Sequence, residues 1–103
     1  MSDWKTISVT LTYEYGLHMR PSWMLTQGVG DYDCEIRAEA HGYEVDGKVV
    51  TQVTLLAATC GDVVLFKARG RDAGSAIKWI SDFINELNSE GEDYVRRRME
   101  ELE

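Results

Sequence analysis

Gly16-Leu17-His18-Met19-Arg20-Pro21 joins a segment patterned as a strand to a segment patterned as a helix. Upstream, Ile7, Val9 and Leu11 alternate with polar neighbours, the period of a half-buried strand. Gly16 permits a tight backbone turn. Pro21 suits the first turn of a helix, where its missing N–H costs nothing. His18 is thereby expected at the N-terminal edge of a helix, with Arg20 two residues on. Helix N-termini present unpaired N–H groups and partial positive charge, so Gly16, Met19 and Pro21 are read as the backbone of a phosphate site. A neutral imidazole is a nitrogen nucleophile, and a guanidinium pairs with phosphate oxygens. His18 as phosphoryl acceptor and Arg20 as phosphate clamp are the expected catalytic pair.

The motif resembles the G-[LM]-H-x-R-P pattern of the HPr phosphocarrier proteins of the bacterial phosphoenolpyruvate-dependent phosphotransferase system. The similarity continues from His18 to Glu35-Ile36, then through Gly42, Lys48, Leu56 and Gly61 to Val63-Val64, and into Ile84-Asn85-Glu86-Leu87. It implies an α+β fold: a two-layer open-faced sandwich of order β-α-β-β-α-β-α, with a four-stranded antiparallel sheet covered by three helices. It also implies a donor, the phosphoenolpyruvate-dependent first enzyme, and a downstream acceptor or regulated protein. The family's regulatory serine at the start of the second helix corresponds here to Val49, which has no hydroxyl. Basic residues that many members carry on the first helix correspond to Gln27 and Gly30, and Tyr15 stands where Asn is frequent. Glu14 adds negative charge nearby. These departures leave the His18 chemistry intact and put the usual sugar-transport partners in doubt.

At 103 residues the chain is long enough for one domain with a modest core. A net charge of −7 without a basic stripe argues against nucleic acid. No apolar run approaches a membrane span, so no membrane insertion is expected. The opening Met1-Ser2-Asp3-Trp4-Lys5 shows no signal peptide, and a cytoplasmic protein is expected. Cys34 and Cys60 are too isolated for a disulfide framework or a metal site. The sequence has no nucleotide-binding loop and no ordered acidic cluster of a magnesium-dependent kinase. No cofactor and no metal are expected, and the phosphoryl group has to come from a protein partner.

Along the chain, strands are expected at about Lys5–Leu11, Cys34–Ala40, Tyr43–Val45 and Val63–Ala68, with His41-Gly42 as a hairpin turn. One helix is expected over Met19–Val29, ended by Gly28 and Gly30, and another from Ala73 to Leu87. Val49–Ala58 is ambiguous. Its β-branched residues favour a strand, whereas Val49, Val53 and Leu56 have helical spacing and Gly61 makes a suitable terminator. The family register decides for a short helix.

Residues 1–88 are expected to form the phosphocarrier domain and 89–103 a helical tail. Ser89 and Glu92 have capping-box spacing. Glu92–Arg96 and Asp93–Arg97 have the favourable order for helical ion pairs. Val95, Met99 and Leu102 form a stripe, with Tyr94 beside it, that packs on the domain or on another chain. The tail is expected to be dispensable for chemistry at His18. Arg96-Arg97-Arg98, bracketed by acids, reads as a solvated face.

Trp23 reads either as a core aromatic or as a partner-binding residue, making an apolar patch with Met19, Met24 and Val50. Trp79 falls off the inward stripe of its helix, towards the tail. The function expected is that of a phosphocarrier rather than a free-standing catalyst. Two alternatives are a regulatory binding module with a non-transport target and an interaction domain without phosphoryl cycling. The intact motif argues against the last.

Overall fold

The computed structural model describes residues 3–102. They form β1 (Lys5–Thr10), α1 (Met19–Val29), β2 (Glu35–Ala40), β3 (Tyr43–Asp46), α2 (Val50–Leu55), β4 (Val63–Arg69), α3 (Ala73–Glu90) and α4 (Glu92–Leu102). The sheet has the order β1-β4-β2-β3, and every neighbouring pair is antiparallel. Alternation assigns its faces. Ile7, Val9, Val64, Phe66, Ala68, Ile36, Ala38 and Ala40 share the face under the helices, and Ile7 and Ala38 both oppose Phe66 in register. The other face is mostly polar, with Val63 and Leu65 of β4 among its charged neighbours. There Glu35 pairs with Arg37 (2.9 Å) and Arg69 (2.8 Å), and Arg69 lies over the Trp4 ring at 4.3 Å. This is the two-layer α+β sandwich expected.

The ambiguous segment is the short helix α2. Val53 is fully buried and Leu56 nearly so, while Leu55 points outward at 79% exposure. Gly61 does not end this helix. Ala57 does, by taking a left-handed conformation (φ 52°). Val49 is the N-cap residue and supplies no side-chain hydrogen bond.

Gly28 does not end α1 either. It lies inside the helix, where a Cβ would fall 2.0 Å from the Trp79 indole. The missing side chain lets α3 approach α1. Trp79 therefore packs over α1, stacked on Phe83 at 5.2 Å, rather than facing only the tail.

The tail is integrated with the rest of the chain. α3 runs through Asn88 and Ser89 to Glu90, so Ser89 is inside a helix and caps nothing. Gly91 (φ 59°) makes the turn, and its N–H donates to the Leu87 carbonyl at 2.9 Å. In α4 Val95 is fully buried and Tyr94 nearly so, against Phe83 at 6.0 Å between rings. Met99 is partly buried, but Leu102 is 37% exposed, so the stripe of Val95, Met99 and Leu102 is graded rather than uniform. The helical ion pairs also differ from those expected. Arg96 pairs with Asp93 (3.0 Å), Arg97 with Glu90 (2.9 Å) and Arg98 with Glu101 (2.7 Å). Glu92 is thereby free to face the opposite way, towards the N-terminus of α1. No helix of the described residues is long and apolar enough to cross a membrane.

Candidate functional site

Two glycine-dependent contacts build the loop before α1. Gly16 adopts φ 62°, and a Cβ there would meet the Ala58 carbonyl oxygen at 2.2 Å. The Leu17 N–H donates to that same oxygen at 2.8 Å, tying the loop to the segment after α2. His18 follows as the N-cap residue of α1, extended at φ −77° and ψ −166°, with no side chain capping the first turn. The Ser22 hydroxyl is buried and donates to the Leu17 carbonyl at 2.8 Å, and the Ser22 N–H donates to the His18 carbonyl at 3.0 Å. Pro21 is buried in that first turn. The histidine is therefore held at the mouth of the helix by backbone geometry.

The imidazole sits between two tyrosines. Tyr13 lies against it with ring centroids 6.2 Å apart and an interplanar angle of 28°, and Tyr15 meets it edge-on at 6.0 Å and 90°. His18 Nε2 is buried without a hydrogen-bond partner. Burial and the nearby Arg20 charge lower the His18 pKa, against an opposing pull from Glu92. The neutral form of the ring is thereby favoured.

Arg20, one helical step beyond Met19, turns towards α4 and makes an ion pair with Glu92. The second Glu92 oxygen accepts a hydrogen bond from the Tyr13 hydroxyl at 2.5 Å. Those contacts, the tyrosine hydrogen bond foremost, lower the Glu92 pKa and keep it a carboxylate. The same burial and the adjacent carboxylate push the Tyr13 phenol well above its ordinary value. Tyr15, His18, Arg20 and Glu92 line one open cleft.

Asn88 sets the position of this cluster. Its side-chain oxygen accepts from the Thr12 N–H (2.8 Å) and the Tyr13 N–H (3.2 Å), and its amide donates to the Thr10 carbonyl (2.8 Å). Tyr13, Asn88 and Glu92 join the site only through tertiary contacts that local sequence pattern does not reveal. The one available signal was Glu92, an acid placed just after a helix-breaking glycine.

The expected apolar patch is only partly assembled. Met19 is 59% exposed beside His18, and Val50 is half-buried on α2. Trp23 is half-buried and packs on the core. Met24 is 3% exposed, because it lies on the inward face of α1, so it is not a surface contact residue. Among the described residues no group of three or more His, Cys, Asp or Glu side chains has the arrangement of a metal site. Cys34 and Cys60 are free thiols.

The family model described as the PTS HPr component phosphorylation site matches residues 5–86. The phosphocarrier protein HPr of Neisseria meningitidis serogroup A is 31% identical over 85 residues, covering 82% of this chain and 96% of its own. The phosphoryl donor subunit of a PEP-dependent dihydroxyacetone kinase from Pantoea ananatis is 32% identical over 76 residues, 74% of this chain but 16% of that longer protein. Among solved structures, HPr-C-His from Thermoanaerobacter tengcongensis superposes with a TM-score of 0.77 at 27% identity, over 82% of this chain and 94% of that one. The matched residues include Gly16 to Pro21 and the strand-helix junction that carries them. The chain belongs to the HPr family of phosphocarrier proteins of the phosphotransferase system.

Proposed function

We propose that His18 accepts a phosphoryl group from the phosphoenolpyruvate-dependent first enzyme and passes it to a downstream protein. The observation that carries this reading is an imidazole at the N-cap of α1, with Arg20 lining the same cleft and no side chain capping the first turn. Nε2 is buried, which leaves Nδ1 to meet the incoming group. The Nδ1 lone pair forms the new P–N bond while the donor's own bond to phosphorus breaks, and the donor's leaving atom keeps that electron pair. The ring proton of His18 stays on Nε2 at this step. The first-turn N–H groups and the Arg20 guanidinium then stabilise the phosphoryl oxygens. Positioning and charge stabilisation are what phosphoryl transfer asks of a protein.

A second reading concerns the destination. The last turn of α1 carries no basic residue, and Gln27 and Gly30 are exposed there. Charge that would steer an acidic partner is therefore missing. This favours a regulated target or a relay outside sugar transport, of the kind named by the dihydroxyacetone kinase relative. With Val49 at the start of α2, the family's serine switch has no acceptor.

The test mixes the protein with phosphoenolpyruvate and a family first enzyme. An acid-labile, alkali-stable label is expected on the wild-type chain and none on His18→Ala. A label that persists in the variant refutes His18 as acceptor.

A further inference from the structure

Resting on the carrier reading above, we infer that Glu92 is a positioning residue that holds Arg20 in the unphosphorylated protein and opposes phosphorylation of His18. The matched family module ends at residue 86, and Glu92 opens the helix beyond it. Its carboxylate occupies the guanidinium that has to turn to the phosphoryl group. It also lines the same cleft as His18, so a doubly negative phosphoryl group there has a fixed negative neighbour. The carboxylate cannot retreat freely. Its other oxygen is held by Tyr13, Tyr13 is tied through its N–H to Asn88, and the helix carrying Glu92 is anchored by fully buried Val95. The groups facing the imidazole are Tyr13 and Tyr15 from the loop, Arg20 from α1 and Glu92 from α4.

Two consequences follow from one coupling. Glu92 makes phospho-His18 a better donor, because the phosphorylated form loses the Arg20–Glu92 pair and gains a repulsion. By linkage, phosphorylation weakens the docking of Glu92 by the same factor. Arg20 and Glu92 are each somewhat under half exposed, so solvent screening keeps the coupling modest, about three- to tenfold.

The experiment is a partition. Equal amounts of the wild-type chain and Glu92→Gln are mixed with a catalytic amount of first enzyme and limiting phosphoenolpyruvate. Glutamine keeps an acceptor for the Tyr13 hydroxyl and removes the charge. The four species differ in charge and separate by isoelectric focusing. In net exchange between the two carriers one His18 P–N bond breaks for each that forms, so the ratio reads the relative equilibrium with partner docking cancelled. The phosphoryl group should favour Glu92→Gln about three- to tenfold at low salt, and less as salt rises. In the unphosphorylated variant the His18 titration midpoint should fall, a change that a merely structural role would not produce. In phosphorylated wild-type protein the first turn of α4 should exchange its amide hydrogens faster. Equal partition between two normally labelled proteins overturns this inference and leaves the carrier reading standing. Failure of the wild-type chain to take label overturns both.

Discussion

Val95→Ala measures whether α4 belongs to the cooperative fold. Val95 is fully buried against the α1 and α3 layer, whereas Leu102, on the same stripe, is 37% exposed. The substitution removes two carbon groups from the core, about 1.6 kcal/mol at ~0.8 kcal/mol each. An unfilled cavity adds about 1 kcal/mol, and the higher helix propensity of alanine returns ~0.5 kcal/mol. The expected net loss is about 2 kcal/mol, or roughly 8–15 °C in Tm for a domain of this size. Leu102→Ala should cost no more than ~0.5 kcal/mol. Urea denaturation followed by circular dichroism reads both, and an unchanged m-value would show that the unfolding unit is the same. Equal, small effects from the two substitutions would mean that α4 frays independently. That would refute the integrated tail and remove the anchor that holds Glu92 at the site.

Gly28→Ala should destabilise by about 1–2 kcal/mol, since displacing the stacked indole outweighs the ~1 kcal/mol that alanine gains in a helix. In a Trp79→Leu background the sign should reverse, and a gain with Trp79 present would refute the close approach. An NMR titration of His18 should give a midpoint below ~6.5. The unfolded chain then takes up a proton more readily than the folded one, so this group's contribution to stability falls as pH drops through the window between the two values. A midpoint above the ordinary value would contradict the burial of the ring. Arg20→Ala should slow phosphoryl transfer by about 100-fold, with Arg20→Lys between it and wild type, because a point charge attracts without the planar fork. Rates that match across the three proteins would remove Arg20 from the site.

Local pattern alone carried the strand-helix junction at Gly16 to Pro21, the alternation of Ile7 and Val9, and the inward stripe of α3. Each depends on residues within a turn or two of one another, whose spacing decides which face is apolar whatever else the chain does. Local pattern misled or fell silent wherever a distant partner decided the outcome. Val49 to Ala58 had β-branched propensity for a strand, yet burial of Val53 against the rest of the core and a left-handed Ala57 made α2. Gly28 resembled a helix terminator until Trp79 of α3 filled the space its side chain would have taken. Met24 resembled a surface contact until the packing of α1 turned it inward. Ser89 and Glu92 had the spacing of a cap, but α3 continued through Ser89, and Glu92 turned to Arg20, 72 residues earlier, and to Tyr13, 79 residues earlier. By itself, the sequence determined where the proposed acceptor His18 stands in the chain and what kind of helix end holds it. Which carboxylate shares that site was decided by the tertiary structure, because an ion pair between helices depends on the angle and depth at which α4 docks. Those are set by Gly91, Val95 and the α1–α3 packing together, and by no single stretch of chain.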